Sequence, residues 1–357
     1  LFRSSLLLTV SSYMMRLVES KLLKANFMKP FTYTFQTPDQ RATLKMRPSI
    51  SDDMGVYRPG QIELDNGRIL PIISRHSDAT AALTYLHPLE INDDWRRLVG
   101  LPATLTTQTI EAPGTLLLGV ERAKHIIKGI LDIFNTAELN ATLKNTLEEK
   151  IALLPVFREG KQFDLSRTVK TTCGYTCLEL PIEYQTDTTD TIYHSPNNIM
   201  TGAQRERVEL AVIGTGLIQG QDLVELINYV QTRFKNLSHI ELIIPHATLQ
   251  GLTHTLSYTS PGISLRAHTF ETLLDFQEGR GKFFPHPEFH IRPTLSQHYR
   301  LWWGRDLAGQ PIANIPHVGK DGSDALFDPL RQIRTLNEHL QKTYKTSLAN
   351  VLSRHLA

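Results

Sequence analysis

Cysteine is nearly absent: two residues, Cys173 and Cys177, in a chain of 357. That excludes a disulfide framework and any four-thiolate metal site. Long apolar runs are missing as well. The strongest, Leu116 to Val120 and Leu242 to Ile244, are strand-sized, well short of the roughly 18 residues of a bilayer-spanning helix. Charge of one sign is not in excess either, with 38 Lys and Arg against 36 Asp and Glu for a net +2. A nucleic-acid binder carries a concentrated basic face, so no specific nucleic-acid partner is expected. The G-x-x-x-x-G-K-[ST] phosphate loop and the G-x-S-x-G nucleophile elbow do not occur, which removes the support for P-loop hydrolysis and for serine-hydrolase chemistry.

What is present begins with a basic N-terminal stretch, LFRSSLLLTVSSYMMRLVESKLLKANFMK. Residues 1–30 hold Arg3, Arg16, Lys21, Lys24 and Lys29 against Glu19 alone. A Ser- and Leu-rich, acid-poor segment has the composition of an organelle-import presequence, or of a basic amphipathic helix that touches a membrane surface peripherally. The expected location is mitochondrial, on the matrix side or associated with the inner membrane.

Residues 31–200 read as a mixed α+β region. FTYTFQT alternates aromatic and threonine residues as a half-buried strand does. Asn66-Gly67, between the apolar runs of QIELDNGRILPII, predicts a hairpin. GTLLLGVERAKHIIKGILDIF is followed by a charged helix expected from about Ala137 to Leu154. TVKTTCGYTCLELPIEY suggests two short strands around Gly174.

A domain boundary is expected near residue 200, and residues 201–280 carry the clearest pattern. VELAVIG and HIELIIP are strand candidates, separated by QDLVELINYVQTRF with apolar residues at helical spacing. A second helix is expected from about Thr248 to Tyr258, then a strand at ISLRA and a third helix at TFETLLDF. Strands alternating with helices of 10 to 15 residues imply right-handed crossovers and a mainly parallel βαβ sheet. Residues 281–323 read as an extended Pro-rich connector. From 324 to 357 the spacing of Leu326, Leu330, Ile333, Leu336, Leu340, Tyr344, Leu348 and Leu352 predicts a long C-terminal amphipathic helix or helix pair. The predicted fold class is therefore α/β.

Three features suggest chemistry. Gly214, Gly216 and Gly220 of VIGTGLIQGQD lie between a strand and a helix, where a dinucleotide fold lets its backbone approach a pyrophosphate. The spacing is one residue too long, and the next strand runs into Ile244-Pro245-His246 where an acid should meet the ribose. A glycine turn with no ligand is the plainer reading. In GKFFPHPEFHIRP, His286, Glu288 and His290 would share one face of an extended segment, a donor set that zinc or iron accepts. Pro285, Pro287 and Pro293 rule out the helical metal motif, and no further ligand is identified, so a structural connector is the competing reading. Cys173 and Cys177 are expected to be unpaired, partly buried thiols.

The order of elements over residues 208–294, carried by VELAVIG, HIELIIPHATLQGLTHTL, HTFETLLDF and FFPHPEFH, resembles the jaw domain of the shared fifth subunit of eukaryotic RNA polymerases. It implies a nuclease-like α/β fold without the acidic catalytic set. The functional expectation is a non-catalytic accessory or structural subunit of a large mitochondrial assembly, with no cofactor and with other protein subunits as partners. The assembly would be the ATP synthase, a respiratory complex or, third in order, the mitochondrial ribosome. The alternative is a nucleotide- or phosphate-dependent enzyme using the turn at 214–220.

Overall fold

Alternating burial builds the first third of the chain. In the computed structural model, which describes residues 30–37, 40–53, 55–84, 86–156, 160–186, 191–194, 201–216, 220–245, 247–270, 273–277, 282–285 and 328–356, strand β1 (Phe31–Gln36) pairs antiparallel with β2 (Arg41–Met46). Ala42, Leu44 and Met46 of β2 are buried while their neighbours face outward, the period-2 pattern of a strand with one covered face. The short β3 (Ile50–Asp52) pairs with β4 (Gly55–Leu64), which turns at Asn66-Gly67 into β5 (Ile69–His76). Gly67 has φ +80 and donates its N–H to the Leu64 carbonyl at 2.9 Å, so the predicted hairpin is present.

Helix α1 (Asp78–Thr84) follows, then β6 (Leu86–Ile91), α2 (Asp93–Val99) and β7 (Gln108–Pro113), with β6 and β7 forming a separate hairpin. Helix α2 is closed at both ends. Asn92 caps the N–H groups of Asp94 and Trp95, and Gly100 turns left-handed at φ 76. A 3-10 turn at Gly114–Leu116 leads into α3 (Gly119–Phe134) and α4 (Ala137–Lys144). Strand β8 (Ile151–Pro155), α5 (Leu165–Cys173) and β9 (Leu178–Glu179) come next. They precede the hairpin β10 (Glu183–Thr186) and β11 (Thr191–His194) and the short α6 (Gly202–Arg207). The βαβ stretch is β12 (Leu210–Gly214), α7 (Gln221–Arg233), β13 (His239–Ile243), β14 (Ala247–Thr248), α8 (Leu249–Tyr258) and β15 (Ser264–Phe270). Last are β16 (Leu273–Gln277), β17 (Lys282–Pro285), α9 (Pro329–Tyr344) and α10 (Leu348–Leu356).

The protein is α/β, organised on one ten-stranded, mostly parallel sheet of order β1-β2-β4-β5-β15-β13-β12-β8-β9, with β3 joined to β4. From β5 to β9 every pairing is parallel, and the β1 to β5 meander is antiparallel. Ile151–Pro155 is buried at all five positions, as are all five of Leu210–Gly214. Interior parallel strands are covered on both faces and lose the alternation of a half-exposed strand.

One face packs Ile126, Ile130 and Phe134 of α3, Leu139 and Leu143 of α4 and Val169 of α5 over Leu153, Val212 and Ile243. The other packs Leu223, Ile227 and Val230 of α7 and Leu252 and Leu256 of α8 over Ile213, Leu242 and Ala267. A third, smaller core joins Leu89 and Ile91 of β6 and Val99 of α2 to Ile333, Leu336 and Leu340 of α9 and to Val351 and Leu352 of α10.

Several expectations are corrected. TFETLLDF is not a helix: Thr269–Phe270 end β15 and Leu273–Gln277 form β16, whose partners are β14 and β17. The spacing of Phe270, Leu273 and Leu274 fits a helix, but strand pairing overrides it. The two strands expected around Gly174 are a helix ending at Cys173, with Gly174 at φ 78 donating to the Lys170 carbonyl as its C-cap, followed by β9. The helix expected to run to Leu154 stops at Lys144, and IALLP is the interior strand β8. Described strands on both sides of the expected boundary share the sheet, β8 pairing with β12 and β5 with β15. The described C-terminal residues, 328–356, form a helix pair broken at Lys345 with φ 53, one of the two forms expected there. The helix expected within residues 1–30 and most of the connector at 281–323 lie outside the described residues.

Candidate functional site

In an open α/β sheet, ligands bind beyond the carboxyl ends of neighbouring strands whose exits diverge to opposite faces. Here those strands are β8 and β12. From Pro155 the chain enters α5 on the α3 face, and from Gly214 it enters α7 on the opposite face.

At the divergence, Val156 donates its N–H to the Gly214 carbonyl at 2.9 Å, and Thr215 donates to the Ile243 carbonyl at 3.1 Å. The Thr215 hydroxyl turns back to the Gly216 carbonyl at 3.1 Å. A Cβ on Gly214 would lie 2.8 Å from Cδ2 of Phe163 and 3.1 Å from Cδ1 of Leu165. One on Gly160 would overlap the Gly214 carbonyl oxygen itself. Gly220 opens α7 at φ +87, and a Cβ there would meet the Gly251 carbonyl oxygen at 2.7 Å. The packing thus supplies a reason for glycine at 214 and 220 that involves no ligand. Gly216 sits between them in the turn, and residues 217–219 lie outside the described residues.

Helix α7 carries no side-chain cap at Gly220. Helix α8 is capped by Thr248, whose hydroxyl accepts from the Gly251 N–H at 3.0 Å. The Gly251 carbonyl in turn accepts from the Thr255 hydroxyl at 2.8 Å. Past β13, the Pro245 carbonyl accepts from the Phe270 N–H at 3.1 Å, so this backbone too is engaged within the sheet.

Among the described residues, the charged chemistry of the sheet lies in its core. Glu241 of β13 accepts from Arg266 Nη1 at 3.1 Å and pairs with His268 Nε2 at 2.8 Å, both residues of β15. Arg266 also reaches the Thr142 hydroxyl of α4 at 3.1 Å. Glu241 and His268 are 2% and 0% exposed, which places the pair beyond the reach of a substrate. The sequence carried a signal for this group: a lone Glu in the apolar run HIELIIP, and Arg and His two apart, hence on one face, in SLRAHTF.

A second buried charge is Arg75 at the end of β5. It holds both oxygens of Asp52 at 2.8 Å and lies over the Tyr57 ring. Nearby Asp132 of α3 is 2% exposed, and burial pushes its carboxyl up despite a hydrogen bond from Ser77 and the charges of Arg75 and Lys128.

Cys173 and Cys177 are free and partly buried. Burial raises both thiols, and Glu148 and Cys173 add to it at Cys177, which is pushed up to about 12. His286, Glu288 and His290 lie outside the described residues, just past the end of β17. Among the described residues, no group of three His, Cys, Asp or Glu side chains could hold a metal ion. No described helix is long and apolar enough to cross a membrane.

No protein-family model matches the chain, and no curated protein matches it. Among solved structures, the AQ2163 protein from Aquifex aeolicus is 14% identical with a TM-score of 0.30, over 46% of this chain and 90% of that one. A hypoxanthine phosphoribosyltransferase from Staphylococcus aureus is 12% identical with a TM-score of 0.28, over 39% of this chain and 72% of that one. A purine phosphoribosyltransferase from Pyrococcus horikoshii Ot3 is 11% identical with a TM-score of 0.26, over 41% and 82%. At such similarity the activity of these proteins does not transfer to the chain.

Proposed function

We propose that this chain is a non-catalytic accessory or structural subunit of a large mitochondrial assembly. The candidates are the ATP synthase and a respiratory complex, ahead of the mitochondrial ribosome. The observation that carries the reading is the seating of Gly160 on the Gly214 carbonyl, where a Cβ would overlap the oxygen. That contact packs the turn after β8 directly on the end of β12, between the diverging strands where a ligand-binding sheet of this class seats its ligand. The buried pairing of Glu241 with Arg266 and His268 and the basic stretch at residues 1–30 fit a scaffold residing in the matrix or beside the inner membrane, with other protein subunits as partners. Native electrophoresis of intact organelles tests it. Migration of the tagged chain within a large complex is expected, and a free species near its own 40.5 kDa would defeat the reading.

A nucleotide- or phosphate-dependent enzyme is the second reading. Its motivation is α7, a 13-residue helix whose N-terminus follows Gly220 without a side-chain cap and could face an anion. Thermal denaturation against a panel of nucleotides and inorganic phosphate decides it. A ligand at 100 times its Kd stabilises by about 2.7 kcal/mol, so an unmoved transition at millimolar ligand argues against binding.

A further inference from the structure

The third hydrophobic core holds the β6–β7 hairpin and the two C-terminal helices together, and this layer meets the α/β body at α1, the Gly114–Leu116 turn and the start of α3. Three polar side chains at the junction point at backbone carbonyls. Arg122 Nη1 of α3 donates to Gly114 O at 3.0 Å, and Nδ1 of His125, also on α3, lies 3.2 Å from Ala79 O. Gln332 Nε2 of α9 donates to Leu117 O at 3.4 Å.

His87 completes the junction. It shares the inward face of β6 with Leu89 and Ile91 and is 6% exposed. Its Nδ1 lies 3.1 Å from Pro88 O; its Nε2 is buried and makes no well-formed hydrogen bond among the described residues, although the Pro113 carbonyl lies close enough to act on the ring as a weak acceptor. A carbonyl accepts only from N–H, so the hydrogen bond assigns the neutral ring its proton on Nδ1.

The charged groups facing this ring are cationic or can become so. From α3 they are Arg122, itself 4% exposed, and His125. From β7 the ring meets the backbone at Pro113. The acids on the surrounding elements are exposed: Asp78 on α1, Glu90 on β6, Glu111 on β7, Asp328 at the start of α9, Glu338 on α9, and Glu121 on α3, the last held by Lys124. The acids of α2, Asp93 and Asp94, follow the far end of β6 and pair with Arg96 and Arg97. Burial pushes the ring below the usual imidazole range. His125 and Arg122 push it the same way, and the carbonyls of Pro88 and Pro113 offset only part of this.

We propose that His87 is a pH-responsive latch, and that proton uptake by its buried ring releases the hairpin and the two C-terminal helices from α1 and the start of α3. The sign follows from linkage. A histidine depressed in the closed form is neutral in both forms above the ordinary value of 6.5. As pH falls below 6.5 the released form binds the proton first, and closure weakens until the buried ring titrates too. Opening would uncover Ile333, Leu336 and Leu340, now 1 to 5% exposed, as a hydrophobic stripe on α9.

Hydrogen exchange of the full chain, followed by mass spectrometry at pH 7.5, 6.5 and 5.5 with labelling times scaled for intrinsic exchange, tests this. In the wild type, peptides from Gln108–Pro113, Pro329–Tyr344 and Leu348–Leu356 should exchange faster at pH 5.5 than at pH 7.5, by up to about tenfold, because each pH unit inside the window is worth at most tenfold. Peptides from Leu210–Gly214 and His239–Ile243 should not change. His87→Asn keeps a donor near the Nδ1 position and cannot be charged, so it should abolish the acceleration. The same acceleration in His87→Asn, or a rise across the whole chain at once, overturns the latch. If His87→Asn does not fold at pH 7.5, exchange at the histidine Cε1–H in the wild type reads the ring directly. Titration of His87 at or above 6.5 overturns the proposal, and titration below 6.5 coinciding with opening supports it.

Discussion

Oε2 of Glu241 stands 2.8 Å from Nε2 of His268 on the neighbouring strand, and solvent reaches almost none of either residue. Removing one member of such a pair strands the other in the core, which costs about 3–5 kcal/mol. Glu241→Leu alone should therefore unfold at markedly lower urea. Glu241→Leu combined with His268→Leu should recover part of the loss, because an apolar pair needs no partner. A double-mutant cycle should give a coupling of about 1–3 kcal/mol, and strict additivity would refute a mutual dependence.

Arg75 presents a different dependence on geometry. Its guanidinium grips both oxygens of Asp52, tying β5 to the β3–β4 hairpin. A lysine keeps the charge and loses the fork. Arg75→Lys should destabilise by about 1–3 kcal/mol, the cost of leaving a buried polar group unsatisfied, as measured by the guanidinium midpoint.

The glycines separate space from backbone conformation. Gly67 has open space around its Cβ position but φ +80, so Gly67→Ala should cost about 1 kcal/mol through the left-handed backbone alone. Gly220→Ala adds a clash with the Gly251 carbonyl to φ +87 and should cost more, about 3 kcal/mol. Gly160→Ala has to push apart the ends of β8 and β12. Equal denaturation midpoints for the three variants would contradict these contacts.

Cys177 should be a poor nucleophile in the folded chain. With its thiol pushed up to about 12 against an ordinary 9.0, the thiolate fraction at pH 8 falls by roughly a thousandfold. Native alkylation by iodoacetamide, followed by mass spectrometry, should leave Cys177 unmodified until the chain is denatured. The slow native rate should keep rising with pH past 9 instead of levelling off there.

How much of this was legible in the sequence depended on what each signal measured. Asn66-Gly67 and the apolar spacing of α7 and α8 are local, and they fold as the sequence predicts. IALLP was absorbed into a neighbouring helix because an interior strand has no alternation to betray it, only five apolar residues that also continue a helical stripe. TVKTTC seemed a strand because its threonines and valine are β-branched. In the fold Leu165, Thr168 and Val169 bury one helical face, and Gly174 ends it. At the candidate site, the glycines of 214–220 were visible but the reason for two of them was not. Phe163, Leu165 and Gly251 press on Gly214 and Gly220 from distant parts of the chain, and no local window contains them. Glu241, Arg266 and His268 were each visible, but their meeting depends on the register of β13 against β15.

The pairing of β5 with β15 also orders the folding of the chain in time. Ser74 of β5 donates to the Phe270 carbonyl beside β15, across 196 positions of sequence. At ribosomal rates of roughly 5 to 20 residues per second, the finished meander waits about 10 to 40 s for the strand that covers its inner edge. During that interval Leu70, Ile72 and Ile73 border an unpaired strand edge, the kind of surface that recruits other chains. A chain truncated before Ser264 should therefore aggregate, while one that ends after Phe270 has every strand of the central sheet. The interval between the synthesis of Ser74 and that of Phe270 is when a holding chaperone would matter most.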